Sequence, residues 1–411
     1  MLTGFIYLLT PFSGSSKLKL FYKQNSILLS QKGSKINMNQ LFPVKNAGKP
    51  LVLVAPLDWG LGHATRCIPL IRELIKQGAA PCLAGEAAQE ILLKNEFPDL
   101  PFLPLPGYRI RYPKKGGSLT WKMLRQVPAI MSSIRKENAW LRQQMDNYHF
   151  DAVISDNRYG LHHPDTHSVF ITHQLQIKGP AAWIEKWLRK KNYRYINRFS
   201  QCWIPDSIDD NNLAGQLSHP DELPVIPVKY IGPLSRFEKK AAPSIKDHLL
   251  ILLSGPEPQR SLLEEIIINE ISHYSGTATV LRGLPGHSSL IPSTEMIRFF
   301  NHLSSEELLT EIQKAEYIIS RSGYSTVMDM AVMGKKCILI PTPGQTEQEY
   351  LGQYLQEKNR AICFQQESFE LTAALKAASS FHFQEWPTAQ SSLLSNAVRE
   401  LLNQITSPDL G

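Results

Sequence analysis

From Pro50 onward the chain alternates between short apolar runs and longer stretches in which apolar residues recur at helical spacing. LVLVAPL (Leu51–Leu57), PCLAG, PFLPLPG, DAVISD (Asp151–Asp156), SVFITHQ (Ser168–Gln174) and CWIPD (Cys202–Asp206) read as strands. Between them, ATRCIPLIRELIKQG puts Ile68, Ile71, Leu74 and Ile75 on one helical face, with Pro69 in the first turns, where proline costs least. A long helix is predicted from about Leu119 to Asp146. The strand runs are apolar throughout rather than alternating, so they belong in a parallel sheet covered on both faces.

A Pro-rich passage, Leu223 to Ser244, reads as a last strand and a linker, after which the alternation restarts. LLILLSG (Leu249–Gly255), ATVLRG, IRFFNHL, YIIS (Tyr317–Ser320) and ILIP (Ile338–Pro341) are the next strands. PQRSLLEEIIINEIS, SSEELLTEIQKA and TVMDMAVM are helices, the last stopped by Gly334. The tail from Phe369 to Ile405 is helical, with a break near Trp386-Pro387. The fold class expected is α/β, with two facing Rossmann-like doubly wound domains over residues 50–235 and 245–405. At ~150 residues per domain, 411 residues accommodate both. Ligands of such sheets sit at the carboxyl ends of the strands, which directs attention to the loops there.

Charge changes the picture only at one end. The chain carries 44 Lys+Arg against 37 Asp+Glu, a net +7. Seven of those lysines and no acidic residue fall within residues 1–50, so the rest is balanced at 37 against 37. A neutral body argues against a nucleic-acid partner. Residues 1–49 lie outside both expected domains. Within them, GFIYLLTPF is too short to span a bilayer and lacks a basic n-region. Residues 1–37 are expected to be a non-structural extension or an over-called start, with a cryptic signal anchor as the alternative. The five cysteines are scattered without C-x-x-C spacing, which suits buried thiols in a reducing, cytoplasmic compartment.

Two turns carry candidate chemistry. Arg321-Ser322-Gly323 ends a strand and opens a helix, presenting free backbone N–H groups and a positive dipole end suited to a phosphate. Asp329, two turns on, can accept from a sugar diol. The alternative is an ordinary βα turn with a serine cap. In the first half, GLGH (Gly60–His63) lacks the third glycine of a dinucleotide fingerprint, but it places His63 at a helix N-terminus as a candidate general base. A capping histidine packed on Trp59 is the other reading. Asp156, at a strand end, is a second candidate base or the cap of its own loop. No DxD-like metal pair stands in a fitting place; Asp209-Asp210 reads as a solvated turn. The helix Trp183–Phe199 carries six Lys/Arg with Trp183, Trp187 and Tyr193, fitting either an anionic membrane surface or a solvated face.

The Gly-rich, His-ending loop together with RSG-x-x-T-x-x-D and the Pro…Gln loop resembles glycosyltransferase family 28 from Pro50 to about Asn359, most strongly over Arg321–Tyr350. The best-known member of that family adds N-acetylglucosamine to the lipid-linked intermediate of peptidoglycan. The resemblance implies a two-domain, GT-B type hexosyltransferase of the cell envelope, using a UDP-sugar as co-substrate without a further cofactor or bound metal, and inverting the anomeric centre. It implies donor contacts from Ser322, Gly323, Thr326, Asp329, Gln345 and Gln348, with Ser254, Gly255 and Arg260 as looser matches and the base held near Asn301–Leu303. His63 and Asp156 take the catalytic positions; Asn157, Arg158, His173 and Gln174 take the acceptor side. Where the family has His-Glu-Gln, this chain has Thr172-His173-Gln174, so a glutamate is missing. Asp329, Glu349 and Gly352 stand where the family has Glu, Gln and Asn. The expected partners are the donor, a glycan or lipid-linked acceptor, and peripheral contact with the inner membrane surface. A nucleotide-sugar epimerase and a non-catalytic nucleotide-sugar binder remain as alternatives.

Overall fold

The structure, a computed structural model, describes residues 48–58, 61–108, 127–179, 181–239, 243–284, 288–387 and 391–406. The N-terminal extension, Trp59-Gly60, the basic loop beyond Tyr108 and the first part of the helix expected from Leu119 lie outside these residues.

The first sheet contains β1 (Leu51–Pro56), β2 (Ala80–Gly85), β3 (Phe102–Pro104), β4 (Ala152–Asp156), β5 (His167–Ile171), β6 (Gln201–Ile204) and β7 (Val228–Tyr230). They lie in the order β3-β2-β1-β4-β5-β6-β7, all pairs parallel. Val52 and Val54 enter one apolar cluster while Leu53 and Ala55 enter another, so β1 is buried on both faces, as its unbroken apolar run requires. The helices of this half are α1 (Leu61–Lys76), α2 (Ala87–Glu96), α3 (Val127–Tyr148) and α4 (Ala182–Ile196).

The second sheet contains β8 (His248–Leu252), β9 (Thr277–Leu281), β10 (Ile297–Phe300), β11 (Tyr317–Ser320), β12 (Lys336–Leu339) and β13 (Ala361–Cys363), in the order β10-β9-β8-β11-β12-β13 and again parallel. Its helices are α5 (Gln259–Ile271), α6 (Ser305–Lys314), α7 (Tyr324–Met333), α8 (Thr346–Glu357), α9 (Leu371–Ser380) and α10 (Ser391–Thr406). Both sheets are therefore doubly wound. Their strand order reverses between β1 and β4 and between β8 and β11, and at such points the loops part to leave a crevice.

Two local expectations are corrected. Helix α1 starts at Leu61, so Pro69 stands in its interior rather than its first turns, and the Thr65 carbonyl cannot receive the usual backbone N–H from residue 69. Burial of Ile68, Ile71 and Leu74 offsets that loss, at about 1.5–3 kcal/mol for each side chain. Ile75, placed on the same face by spacing, is 43% exposed.

One apolar cluster crosses between the sheets: Ile68 and Ile71 of α1 join Val327 and Met328 of α7 and Val398 and Leu401 of α10. The last helix thus packs on the first half, where Gln77 Nε2 donates to Ser395 O at 2.8 Å and Lys229 pairs with Glu400. Among the described residues no helix is long and apolar enough to cross a membrane.

Candidate active site

The crevice at the β1/β4 reversal is lined by charge. Asp156 closes β4 and is 1% exposed, so its carboxylate needs partners close by. Arg66, on the inward face of α1, supplies a two-point clamp: Nε donates to Oδ2 at 2.7 Å and Nη2 donates to Oδ1. His63, one turn earlier, has Nδ1 3.2 Å from Oδ2. A carboxylate only accepts at this end, so Nδ1 carries the proton and Nε2 keeps its lone pair. Burial and then the charge of Arg66 lower the His63 pKa, with Asp156 opposing, so the ring stays neutral near pH 7. Burial alone would raise the Asp156 pKa, but Arg66 and His63 hold it well below the usual carboxylate range. A neutral imidazole with a free Nε2, oriented by an ionised carboxylate, is the arrangement of a general base.

From the other face of the cleft comes α7. Its N-terminal Tyr324 stacks on His173, with ring centroids 4.1 Å apart and 12° between planes, and its hydroxyl donates to Pro205 O at 2.8 Å. Ser325 Oγ donates to Gly62 O at 3.1 Å. His173 Nδ1 lies 3.4 Å from Arg66 Nη1, and its Nε2 lies 2.8 Å from Glu347 Oε1 on the first turn of α8. The two halves therefore meet through His173, and a carboxylate does stand beside it, contributed by the opposite domain. Periodicity gave no sign of Glu347 as a site residue.

The second crevice, at the β8/β11 reversal, is lined by polar groups. Gly323 is the N-cap of α7, whose first N–H groups are free of helical partners. Ser322, fully buried, donates Oγ to Gln348 O at 2.7 Å, and Gln348 Oε1 accepts from Thr342 N at 2.9 Å, so both brace the loop between β12 and α8. Thr326 and Asp329 are half-buried on α7. Asp329 Oδ1 accepts from Ser235 Oγ at 2.6 Å, and burial, opposed by Arg236, pushes its pKa up to about 6. Gly255 sits at φ +106°, a conformation favouring glycine, with Thr342 Oγ1 3.5 Å from where a Cβ would stand; Ser254 is exposed. Gln345 is only 4% exposed, yet neither its Oε1 nor its Nε2 finds a partner among the described residues, and Thr342 Oγ1 is in the same condition. Unsatisfied buried polar groups are expensive, and three such atoms gather on the loop that follows β12.

Other candidates are committed elsewhere. Arg158, expected on the acceptor side, is wholly buried: Nε donates to Glu137 Oε1 at 2.7 Å, and the Nη atoms donate to Pro56 O and Pro106 O. Its charge is neutralised inside the fold, which corrects that expectation. Asn157 adopts φ +61° beside it as a turn residue, and Gly160 lies where a Cβ would stand 2.3 Å from Ile134 O, so close packing on α3 fixes that glycine. Gln174 is buried behind His173, its backbone N–H held by Thr172 Oγ1 at 3.0 Å. Arg260, expected near phosphate, instead pairs with Glu257 at 2.5 Å and Glu264 at 3.1 Å, a second correction. Asn301, near the expected base position, holds Arg282 Nη1 at 2.8 Å through Oδ1. Arg321, at the head of the Arg321-Ser322-Gly323 turn, has no role assigned by the motif itself. Buried behind the loop between β12 and α8, it donates to the carbonyls of Ile340, Pro341 and Gln259 and to Gln366 Oε1. The departures at 349 and 352 also have local reasons: Glu349 Oε1 accepts from Gly344 N at 2.8 Å, and a Cβ on Gly352 would lie 2.6 Å from Cys363 Sγ. Among the described residues no three His, Cys, Asp or Glu side chains gather as a metal-holding group.

Comparison with known proteins points the same way. Residues 275–404 match the glycosyltransferase family 28 C-terminal domain. The UDP-N-acetylglucosamine–N-acetylmuramyl-(pentapeptide) pyrophosphoryl-undecaprenol N-acetylglucosamine transferase of Haemophilus ducreyi is 22% identical over 321 residues, covering 75% of this chain and 83% of that protein. Among solved structures, the spinosyn rhamnosyltransferase SpnG superposes with a TM-score of 0.56 at 14% identity, over 87% of this chain and 96% of its own. The glycotransferase of kitacinnamycin gives 0.55 at 13% identity, over the same shares of the two chains. The two sheets with their facing crevices thus have the GT-B fold, and the second half is similar to the C-terminal domain of glycosyltransferase family 28.

Proposed function

We propose that this protein transfers a hexosyl group from a UDP-sugar to an acceptor hydroxyl, the donor lying at the β8/β11 crevice and the acceptor at the β1/β4 crevice. The observation that carries this reading is the unpartnered trio of Gln345 Oε1, Gln345 Nε2 and Thr342 Oγ1, two and five residues along the loop from Glu347, which touches the acceptor half. An amide and a hydroxyl offer both donors and acceptors, the set that a sugar's hydroxyls require. The N-terminus of α7 faces the same crevice and suits the diphosphate, whose charge grows as it leaves. His63 Nε2 takes the acceptor proton, and direct displacement at the anomeric carbon inverts it. Asp329 is assigned to the ribose hydroxyls, and its shorter side chain asks for a closer ribose than a glutamate would.

Peripheral membrane contact belongs to the same reading. Trp183 and Trp187 on α4 are 74% and 49% exposed, amid Lys186, Lys190, Lys191 and Arg194. Indole rings bared among cations suit the surface of an anionic bilayer, and hence an acceptor carried on a lipid phosphate.

A thermal-shift screen over nucleotides and nucleotide sugars tests the donor assignment: uridine diphosphates should raise Tm, and no response to any uridine nucleotide would sink it. His63→Ala should leave that shift intact while kcat for UDP release falls about 10²–10⁴-fold. Binding without turnover in the wild type, for any acceptor hydroxyl offered, would favour the non-catalytic binder instead.

A further inference from the structure

Glu347 belongs to the donor half by sequence and to the acceptor half by contact. It stands one residue before Gln348 at the start of α8, and its Oε1 lies 2.8 Å from His173 Nε2. The pair is shielded, with side chains 5% and 13% exposed. Arg66 Nη1 stands 3.4 Å from the other ring nitrogen, Nδ1. A guanidinium has only donors, so Nδ1 must be the acceptor and Nε2 must carry the proton toward Glu347. Tyr324, stacked on the ring, fixes its plane. Beyond Arg66 the sequence of contacts continues to Asp156 and then to His63 Nδ1. Five side chains from α8, the β5 loop, α1 and β4 thus form one unbroken line from the donor loop to the base.

We infer that Glu347 is a positioning residue for acceptor activation. It selects the Nε2–H form of His173, whose Nδ1 then holds the Arg66 fork on Asp156, and Asp156 in turn orients His63. Because Glu347 rides on the donor half, the line is complete only when the two halves are docked. The base is therefore aligned in the same movement that brings the donor up to it. The inference rests on the glycosyl-transfer reading for its kinetic consequence, but the His173 tautomer is a property of the protein without substrate.

The test uses the full chain labelled with 15N-histidine, His173 being assigned through its loss in His173→Asn. Long-range proton–nitrogen spectra should show His173 protonated at Nε2 alone in the wild type. Glu347→Ala should mix the two tautomers, and Glu347→Gln, whose amide oxygen still accepts, should restore the single form. In steady state, Glu347→Ala should lose about 10-fold or more in kcat with KM for the donor within about twofold, and Glu347→Gln should recover most of the loss. If Glu347→Ala melts below the assay temperature, Glu347→Met, which keeps the volume and removes the acceptor, takes its place. A wild-type His173 protonated at Nδ1, a tautomer indifferent to Glu347→Ala, or a loss confined to KM would each overturn the proposal. A wild type that shows the tautomer but stabilises with no uridine nucleotide would instead overturn the transfer reading and leave the contact line standing.

Discussion

The hydroxyl of Ser325, on the first turn of α7, donates to the carbonyl of Gly62 across the cleft at 3.1 Å, next to His63. An alanine at 62 would place its Cβ 3.0 Å from that hydroxyl. Inside a helix, alanine ordinarily stabilises over glycine by about 1 kcal/mol. Gly62→Ala should therefore gain little or lose stability in the wild type, yet raise Tm in the Ser325→Ala background. Denaturation of the four proteins of this cycle measures the difference, about 1 kcal/mol of coupling. Strict additivity would mean that the two residues do not meet in solution.

Removing either partner of the Arg66–Asp156 pair strands a buried charge. Arg66→Met or Asp156→Leu alone should cost about 3–5 kcal/mol, and the double variant clearly less than their sum, because it leaves neither charge behind. The depressed pKa of Asp156 gives the pH dependence its sign. Its contribution is fully present above the ordinary value of 3.8 and is lost as pH falls below it. Urea titrations between pH 3 and pH 7 should therefore separate wild type from the double variant most at the upper end.

Asp329 works in the opposite direction. Folding holds its proton up to about pH 6 rather than 3.8, so the folded state loses ground as pH rises through that interval and regains none above it. The penalty is on the order of 2–3 kcal/mol at neutral pH. Asp329→Asn should melt above the wild type at pH 7, the gap closing by about pH 4, while the uridine-nucleotide shift shrinks. A gap of constant size across that range would contradict the half-buried, protonating carboxyl.

Gly352→Asn restores the residue that the family resemblance expects. With Cys363 Sγ 2.6 Å and Pro341 Cγ 3.0 Å from the position of its Cβ, the side chain must displace the β13 edge or α8. The expected result is a loss of about 1–3 kcal/mol in stability with no gain in donor affinity. Adding Cys363→Ala should recover part of the loss, measurable as Tm.

The strands at both crevices were legible because strands buried on two faces are written as unbroken apolar runs: LVLVAP, AVISD, HLLIL and YIIS fall where the sheets need them. β13, three residues long, is too short to carry such a signal. His63, Asp156 and His173 were each recognisable at a strand or helix end, but what joins them was not. Arg66 pairs with Asp156 across 90 positions, and His173 meets Glu347 across 174, distances over which periodicity says nothing. One hint was available, a charged residue among Ala64, Cys67 and Ile71 on the buried face of α1. Arg260 could also have been placed from sequence, since Glu257 and Glu264 stand at the helical offsets that would claim it.

The return of α10 to α1 bears on how the protein can open. The two halves are joined covalently by the passage after β7 and held again by Val398 and Leu401 against the back of α1. Because α7 packs on α1 in the same cluster, any parting of the halves has to give up apolar contact along α1. Leu401→Ala should therefore loosen the grip of α10 on α1 while leaving the contact of Glu347 with His173 in place.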